Sequence, residues 1–341
     1  MKRYVAYPAF LALLLATVFA GCQQEPLPGS GDAICFSVAQ AVVSAERTKA
    51  DDGRPHGEEY LLQTTVPVRL YGGLTGSSTL LFNGVELSCT NVGTNTWTYS
   101  PLRYWVKRST HHFRAVFPSR DIGQSYDASS DELTVDYDMA DGYDLMVASA
   151  EQDAATRASN QVTLPFEHAC AAVRFRFTDA NGDTAPNILV KSLELQNLSK
   201  SGTLTYKGVV GTTAASMSWA PGARDAAAYS WTATTSEPVL EVDEENKMFK
   251  DWFYIIPQTL TFEDTNQATV HAAIHFTYTL TDGTNTQDMQ ATLNLDSTTI
   301  AAWMRANAYT YDITIQANAV SLGVQWGDWQ GADEHVFDPV G

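Results

Sequence analysis

From residue 61 onward the chain is a succession of short apolar or alternating runs separated by turn signals, the spacing expected of β-sandwiches. Before them, in ICFSVAQ, Ile34, Phe36 and Val38 fall on one face and Cys35, Ser37 and Ala39 on the other, which predicts a strand with one buried face. Asn83-Gly84 lies between STLLF and VEL and predicts a hairpin. Phe113, Ala115 and Phe117 alternate, and residues 145–149 predict another strand. The acidic stretch 121–144 reads as loops around at most one short strand. After the polar passage AEQDAATRASNQ, the run VTLPFEHACAAVRFRF sets Ala169, Ala171, Val173, Phe175 and Phe177 on one face, and Cys170, Ala172, Arg174 and Arg176 on the other. That switch divides the expected fold into two all-β units, 48–160 and 161–341. WFYIIP, TVHAAIHFTYTLTDG, MQATLNL and AYTYDITIQA supply further strands. Residues 298–307 alone suggest helical turns, with Trp303 and Met304 inward. Near the C-terminus Val320, Leu322, Val324 and Trp326 alternate with Ser321, Gly323 and Gln325, the pattern of a strand that could either close its own domain or be lent to another sheet.

The first residues change the picture from fold to location. Lys2 and Arg3 precede an apolar run too short to span a bilayer, followed by Phe19-Ala20-Gly21-Cys22. This reads as a secretory signal, residues 1–21, and the cysteine after Ala-Gly resembles a lipobox whose thiol becomes acylated. An ordinary signal peptide followed by an unmodified cysteine is the alternative. Lipidation at Cys22 would supply the membrane anchor, and QQEPLPGSGD a tether between lipid and fold. Beyond the first strand, Arg47 and Lys49 sit in a hydrophilic stretch with Asp51, Asp52 and Gly53, an exposed site for a trypsin-like protease.

Charge and candidate chemistry then narrow the function. The chain carries 21 Lys+Arg against 39 Asp+Glu, a formal charge of −18 that repels nucleic acid. Cys35, Cys89 and Cys170 form no CxxC pair and read as small core residues. His271 and His275 have the spacing of a helical metal pair, but their strand context separates them by roughly 13 Å. His111-His112 reads as a surface pair. Asp136, Asp138, Asp141 and Asp144 do not fit a calcium loop, because Asp141 stands where its glycine belongs. No nucleophile elbow, phosphate loop or zinc-protease motif is present, so no catalytic residue, metal or cofactor is expected. His168 reads as structural. Trp97, Tyr104 and Trp105 could form a sugar-stacking platform, or fill a core.

Several segments in order, namely FAGC, the early strand ending near ERTKA, LLFNGVEL, WTYSPLRYWV, FRAVFP, DLMVAS, VTLPFEHACAAVRF and AYTYDITI with Val324 and Trp326 beyond, resemble the fimbrillin family over nearly the whole chain. The resemblance implies two transthyretin-like Greek-key sandwiches in series and a structural subunit of surface pili. It implies export as an outer-membrane lipoprotein and cleavage by an arginine-specific protease, which here maps to Arg47-Thr48. The released segment 22–47 carries the first strand, with Ile34, Phe36 and Val38. The vacated groove would accept the C-terminal strand of a neighbouring subunit, here Val320, Leu322, Val324 and Trp326, in a homo- or heteropolymer that serves adhesion to an unidentified surface ligand. A surface glycan-binding lipoprotein is the alternative from another class, and a glycoside hydrolase the third.

Overall fold

The computed structural model describes residues 32–40, 61–62, 65–120, 123–181, 187–208, 216–242, 247–282, 285–296, 300–316, 319–328 and 334–336. The first nine strands are β1 (Cys35–Gln40), β2 (Val68–Leu74), β3 (Leu80–Asn91), β4 (Thr96–Thr98), β5 (Thr110–Phe117), β6 (Gln124–Asp127), β7 (Glu132–Asp138), β8 (Met146–Asp153) and β9 (Gln161–His168). Seven of them close a barrel in the order β1-β4-β3-β2-β5-β8-β9. Its interior is filled by alternate residues of each strand, among them Ile34, Phe36, Val38, Leu70, Phe82, Phe113, Leu164 and Phe166. β9 lies beyond the expected unit boundary at 160/161, yet it pairs antiparallel with β8 and parallel with β1.

The remaining strands are β10 (Ala171–Asp179), β11 (Asn187–Gln196), β12 (Ser201–Lys207), β13 (Ser216–Pro221), β14 (Tyr229–Thr232), β15 (Leu240–Val242), β16 (Lys247–Ile255), β17 (Gln258–Thr259), β18 (Thr261–Glu263), β19 (Thr269–His271), β20 (Ala273–Asp282), β21 (Asn285–Asn294), β22 (Ala302–Trp303), β23 (Asn307–Gln316), β24 (Ala319–Asp328) and β25 (Glu334–Val336). Sheet β16-β10-β23-β24-β25 packs on sheet β14-β11-β20-β21 to make a sandwich. The two inner faces meet through contacts such as Phe177 against Phe276, ring centroids 5.2 Å apart. The all-β expectation therefore holds.

A third sheet, β13-β12-β7-β6, is woven from both halves of the chain, with β7 and β12 paired from Glu132↔Lys207 to Asp138↔Ser201. It covers the outside of the barrel: Tyr71, Val116 and Val147 turn outward and pack with Leu133, Val135, Leu204 and Tyr206. Tyr254 and Ile256 from the sandwich join the same cluster.

Several local expectations are corrected. Asn83-Gly84 is not a hairpin turn. β3 runs through it, and the pairing with β2 slips from Leu70↔Val85 to Gly72↔Phe82, so the pair forms a bulge with Gly84 at φ +67°. Residues 121–144 hold two strands, β6 and β7, because Leu133, Val135 and Tyr137 alternate inward between the acids. Residues 302–303 form a short strand instead of a helical turn; Trp303 is buried but Met304 is 58% exposed.

His111 and His112 are buried, not on the surface. His111 lies edge-on to Trp105 at 4.7 Å, and its Nε2 accepts the Val106 N–H at 3.1 Å. His112 points outward from the barrel and meets Tyr126 of β6 edge-on at 6.2 Å. Burial pushes both imidazoles below the ordinary value of 6.5. The unfolded chain therefore takes up these protons first, and the stability that the neutral rings contribute is complete above pH 6.5 and declines below it. The urea midpoint is expected to fall between pH 7 and pH 5, and a flat profile over that window would contradict this account.

Candidate functional site

β1 closes the barrel as its one parallel neighbour of β9 and the antiparallel neighbour of β4. Toward β9 the register is continuous from Cys35↔Gln161 to Gln40↔Phe166. Toward β4 a single pair, Phe36↔Trp97, is made. The inward side chains Ile34, Phe36 and Val38 are 0, 2 and 1% exposed. Phe36 occupies an aromatic seat, edge-on to Phe82, Tyr99 and Phe113 at centroid distances of 5.6, 5.7 and 5.4 Å. Outside, Ser37 Oγ lies 3.1 Å from Thr163 Oγ1.

Two residues that sequence reasoning did not single out complete the seam with β4. Asn95 Nδ2 donates to Val38 O at 2.6 Å, and its Oδ1 accepts the Val38 N–H at 3.2 Å and Trp97 Nε1–H at 2.8 Å. The Tyr99 hydroxyl donates to Ile34 O at 2.8 Å. The sequence carries no signal for either, since an asparagine in a turn is ordinary until the strand crossing it is known.

The C-terminal residues lie in their own sandwich. β24 pairs with β23 without interruption from Asn307↔Asp328 to Gln316↔Ala319. Val324 is buried, Val320, Leu322 and Trp326 pack half-buried against the core, and the Trp326 ring stacks 6.4 Å from Tyr309. On its outer side β24 meets the short β25 at Gln325, Trp326 and Gly327. The expected lipidation residue Cys22 and the expected cleavage pair Arg47 and Thr48 lie outside the described residues.

The other candidates have structural partners. His168 Nδ1 lies 2.7 Å from Asp144 Oδ2, both side chains fully buried. Beside them Cys170 is a free thiol whose pKa is raised far by burial and then by the Asp144 charge. Asp138 caps the turn at Met139–Asp141 by accepting the Ala140 N–H at 2.9 Å, and Asp136 accepts from the Thr203 hydroxyl at 2.7 Å. His271 and His275 sit on separate strands with separate partners, Asp296 and Thr292. Among the described residues no group of His, Cys, Asp and Glu is arranged to hold a metal ion. Cys89 is a buried free thiol. Cys35, read from the sequence as a small core residue, is half-buried and disulfide-bonded. Trp97 and Trp105 fill the barrel core and form no platform. A cleft of about 690 Å³ opens elsewhere, on the sandwich, lined by Met139, Tyr229, Met248, Trp252 and Phe253.

The family model described as fimbrillin-like matches residues 66–329. Comparison with curated proteins finds no match. Among solved structures the chain is similar to a fimbrial protein from Bacteroides vulgatus, at 14% identity and a TM-score of 0.50, covering 87% of this chain and 99% of that one. It is also similar to a candidate cell adhesion protein from Parabacteroides distasonis, at 10% identity and a TM-score of 0.51, covering 88% and 98%. At such identities these two likenesses speak for a shared fold.

Proposed function

Because the chain belongs to the fimbrillin-like family, we propose that it is a structural subunit of surface fimbriae that polymerises by exchange of its first strand. It is exported as an outer-membrane lipoprotein acylated at Cys22, and an arginine-specific protease then cuts between Arg47 and Thr48. The segment carrying β1 leaves, and the C-terminal strand of a neighbouring subunit enters the slot through Val320, Leu322, Val324 and Trp326.

One observation carries this reading: β1 is a single strand whose loss opens a closed barrel along its length. Ile34, Phe36 and Val38 each contribute roughly 1.5–3 kcal/mol when fully buried, so the vacated slot binds apolar side chains strongly. The backbone groups of β9 that face β1 would also lack partners, and an incoming strand restores them. β24 suits the donor role because it lies next to the short edge strand β25 and three of its inward side chains, Val320, Leu322 and Trp326, are only half-buried, so it detaches at a lower cost than a central strand.

Digestion of the purified precursor with an arginine-specific protease, followed by size, tests the reading. Processed chains are expected to assemble and an Arg47→Ala chain to remain monomeric. A processed chain that stays monomeric under all assembly conditions would count against a polymerising subunit, and filament protein with Cys22 as its first residue would count against cleavage.

A glycan-binding role is the second reading, favoured by the aromatic cleft of Tyr229, Trp252 and Phe253. Chemical-shift changes in those side chains on adding oligosaccharides would support it.

A further inference from the structure

The β4 side of the slot is where the barrel wall is thinnest. β4 is only three residues long, Thr96–Thr98. Strand geometry turns the N–H and C=O groups of successive residues to opposite edges. Cys35 accordingly donates toward β9, to Asn160 O at 2.9 Å, while Ile34, Phe36 and Val38 turn theirs toward β4. Phe36 finds a strand partner there, Trp97. Ile34 donates to Arg103 O at 2.9 Å and accepts from the Tyr99 hydroxyl. Among the described residues Val38 meets there only the carboxamide of Asn95, which takes both its C=O and its N–H.

A carboxamide offers a donor and an acceptor side by side, as a peptide group does, so Asn95 continues the ladder that β4 is too short to provide. Its own backbone sits at φ +51°, at the end of a turn closed by Asn95 N–H to Val92 O at 3.2 Å. Asn91 Oδ1 braces the turn by accepting the Thr94 N–H at 3.2 Å. Trp97 Nε1 fixes the carboxamide orientation from the other side. The turn alone would explain an asparagine at a left-handed position, but it does not require the side chain to reach a strand 57 residues away in sequence.

We propose that Asn95 is the positioning residue of the slot, gripping the main chain of whichever strand fills it and thereby setting the register. The proposal rests on the strand-exchange reading above. Both hydrogen bonds from the Asn95 carboxamide to Val38 go to main-chain atoms, so the grip is indifferent to sequence; the aromatic seat of Phe36, two residues earlier, supplies the selectivity. In the C-terminal strand Leu322 takes that seat, Val320 replaces Ile34, and Val324 lies under Asn95, with the incoming strand parallel to β9 as β1 is.

The test uses Asn95→Gly, which keeps the left-handed turn and deletes only the carboxamide. In the uncut chain the Val38 amide is expected to exchange about tenfold faster in the variant, and unchanged protection overturns the grip on β1. In the processed chain, freed of β1, a synthetic peptide of residues 317–328 is titrated with and without an N-methyl group on Val324. N-methylation is expected to weaken binding to the wild type by about tenfold and to the variant hardly at all. Equal losses in both proteins overturn the grip and leave strand exchange standing. Sensitivity at Val320 instead of Val324 overturns the stated register. If the unmethylated peptide fails to bind the processed wild type, strand exchange falls, and the proposal for the incoming strand falls with it.

Discussion

Replacing Asp131 by alanine is expected to destabilise the uncut chain by about 3–5 kcal/mol, because it leaves the Arg114 guanidinium buried without a counter-charge. Arg114 is wholly enclosed between the barrel and the sheet that covers it. Its Nη2 bonds Asp131 Oδ2, its Nη1 donates to Phe113 O at 2.8 Å, and the group lies 5.9 Å over the Tyr206 ring. The same carboxylate accepts the Tyr126 hydroxyl at 2.8 Å and lies 4.0 Å from His112 Nδ1. An arginine cannot relieve the loss by giving up its proton. Arg114→Met is expected to cost less, since the Asp131 side chain is 26% exposed and can turn to water while the methionine fills the buried space. Urea unfolding of the two variants gives the order directly. A loss below about 1 kcal/mol for Asp131→Ala would mean that water reaches the guanidinium.

Phe36→Ala is expected to cost about 3–5 kcal/mol in the uncut chain and nothing in a chain processed at Arg47 and freed of β1. The first half follows from the seat made by Phe82, Tyr99 and Phe113, whose edges lose their partner together. The second half follows from the proposed departure of the strand, so the comparison weighs packing and maturation in one experiment. Denaturant midpoints measured before and after proteolysis provide it. An equal loss in both forms would show that β1 stays in the barrel after cleavage, and a loss below about 1 kcal/mol in the uncut form would contradict the packing.

The alternation of Ile34, Phe36 and Val38, and of Val173, Phe175 and Phe177, was legible because the side-chain period of a strand is fixed by its backbone and one face of each strand is dry. Its partners were not legible. Nothing local tells β1 to lie beside β9, more than a hundred residues away, or β7 beside β12, since register is decided by which dry faces meet. Asn83-Gly84 misleads for the same reason: a turn and a bulge ask the same backbone freedom of glycine, and only pairing with β2 selects the bulge. The acids around Leu133, Val135 and Tyr137 masked a strand that is wet on one side and packed on the other. His111 and His112 were misplaced because each face of β5 is covered, one by the barrel interior and the other by β6. At the slot, its apolar lining was readable and its grip was not. Asn95 acts through main-chain atoms of a distant segment, which leave no mark on residue choice.

The sheet to which both halves contribute has a mechanical corollary. β7 and β12 are joined antiparallel through seven residue pairs, Glu132↔Lys207 to Asp138↔Ser201. Asp138 leads on to β8 of the barrel and Ser201 follows β11 of the sandwich, and these two residues are paired with each other, so tension passed along the chain reaches the ladder at one end and opens it pair by pair. The seven pairs therefore part in turn, as a zipper does, and not all together.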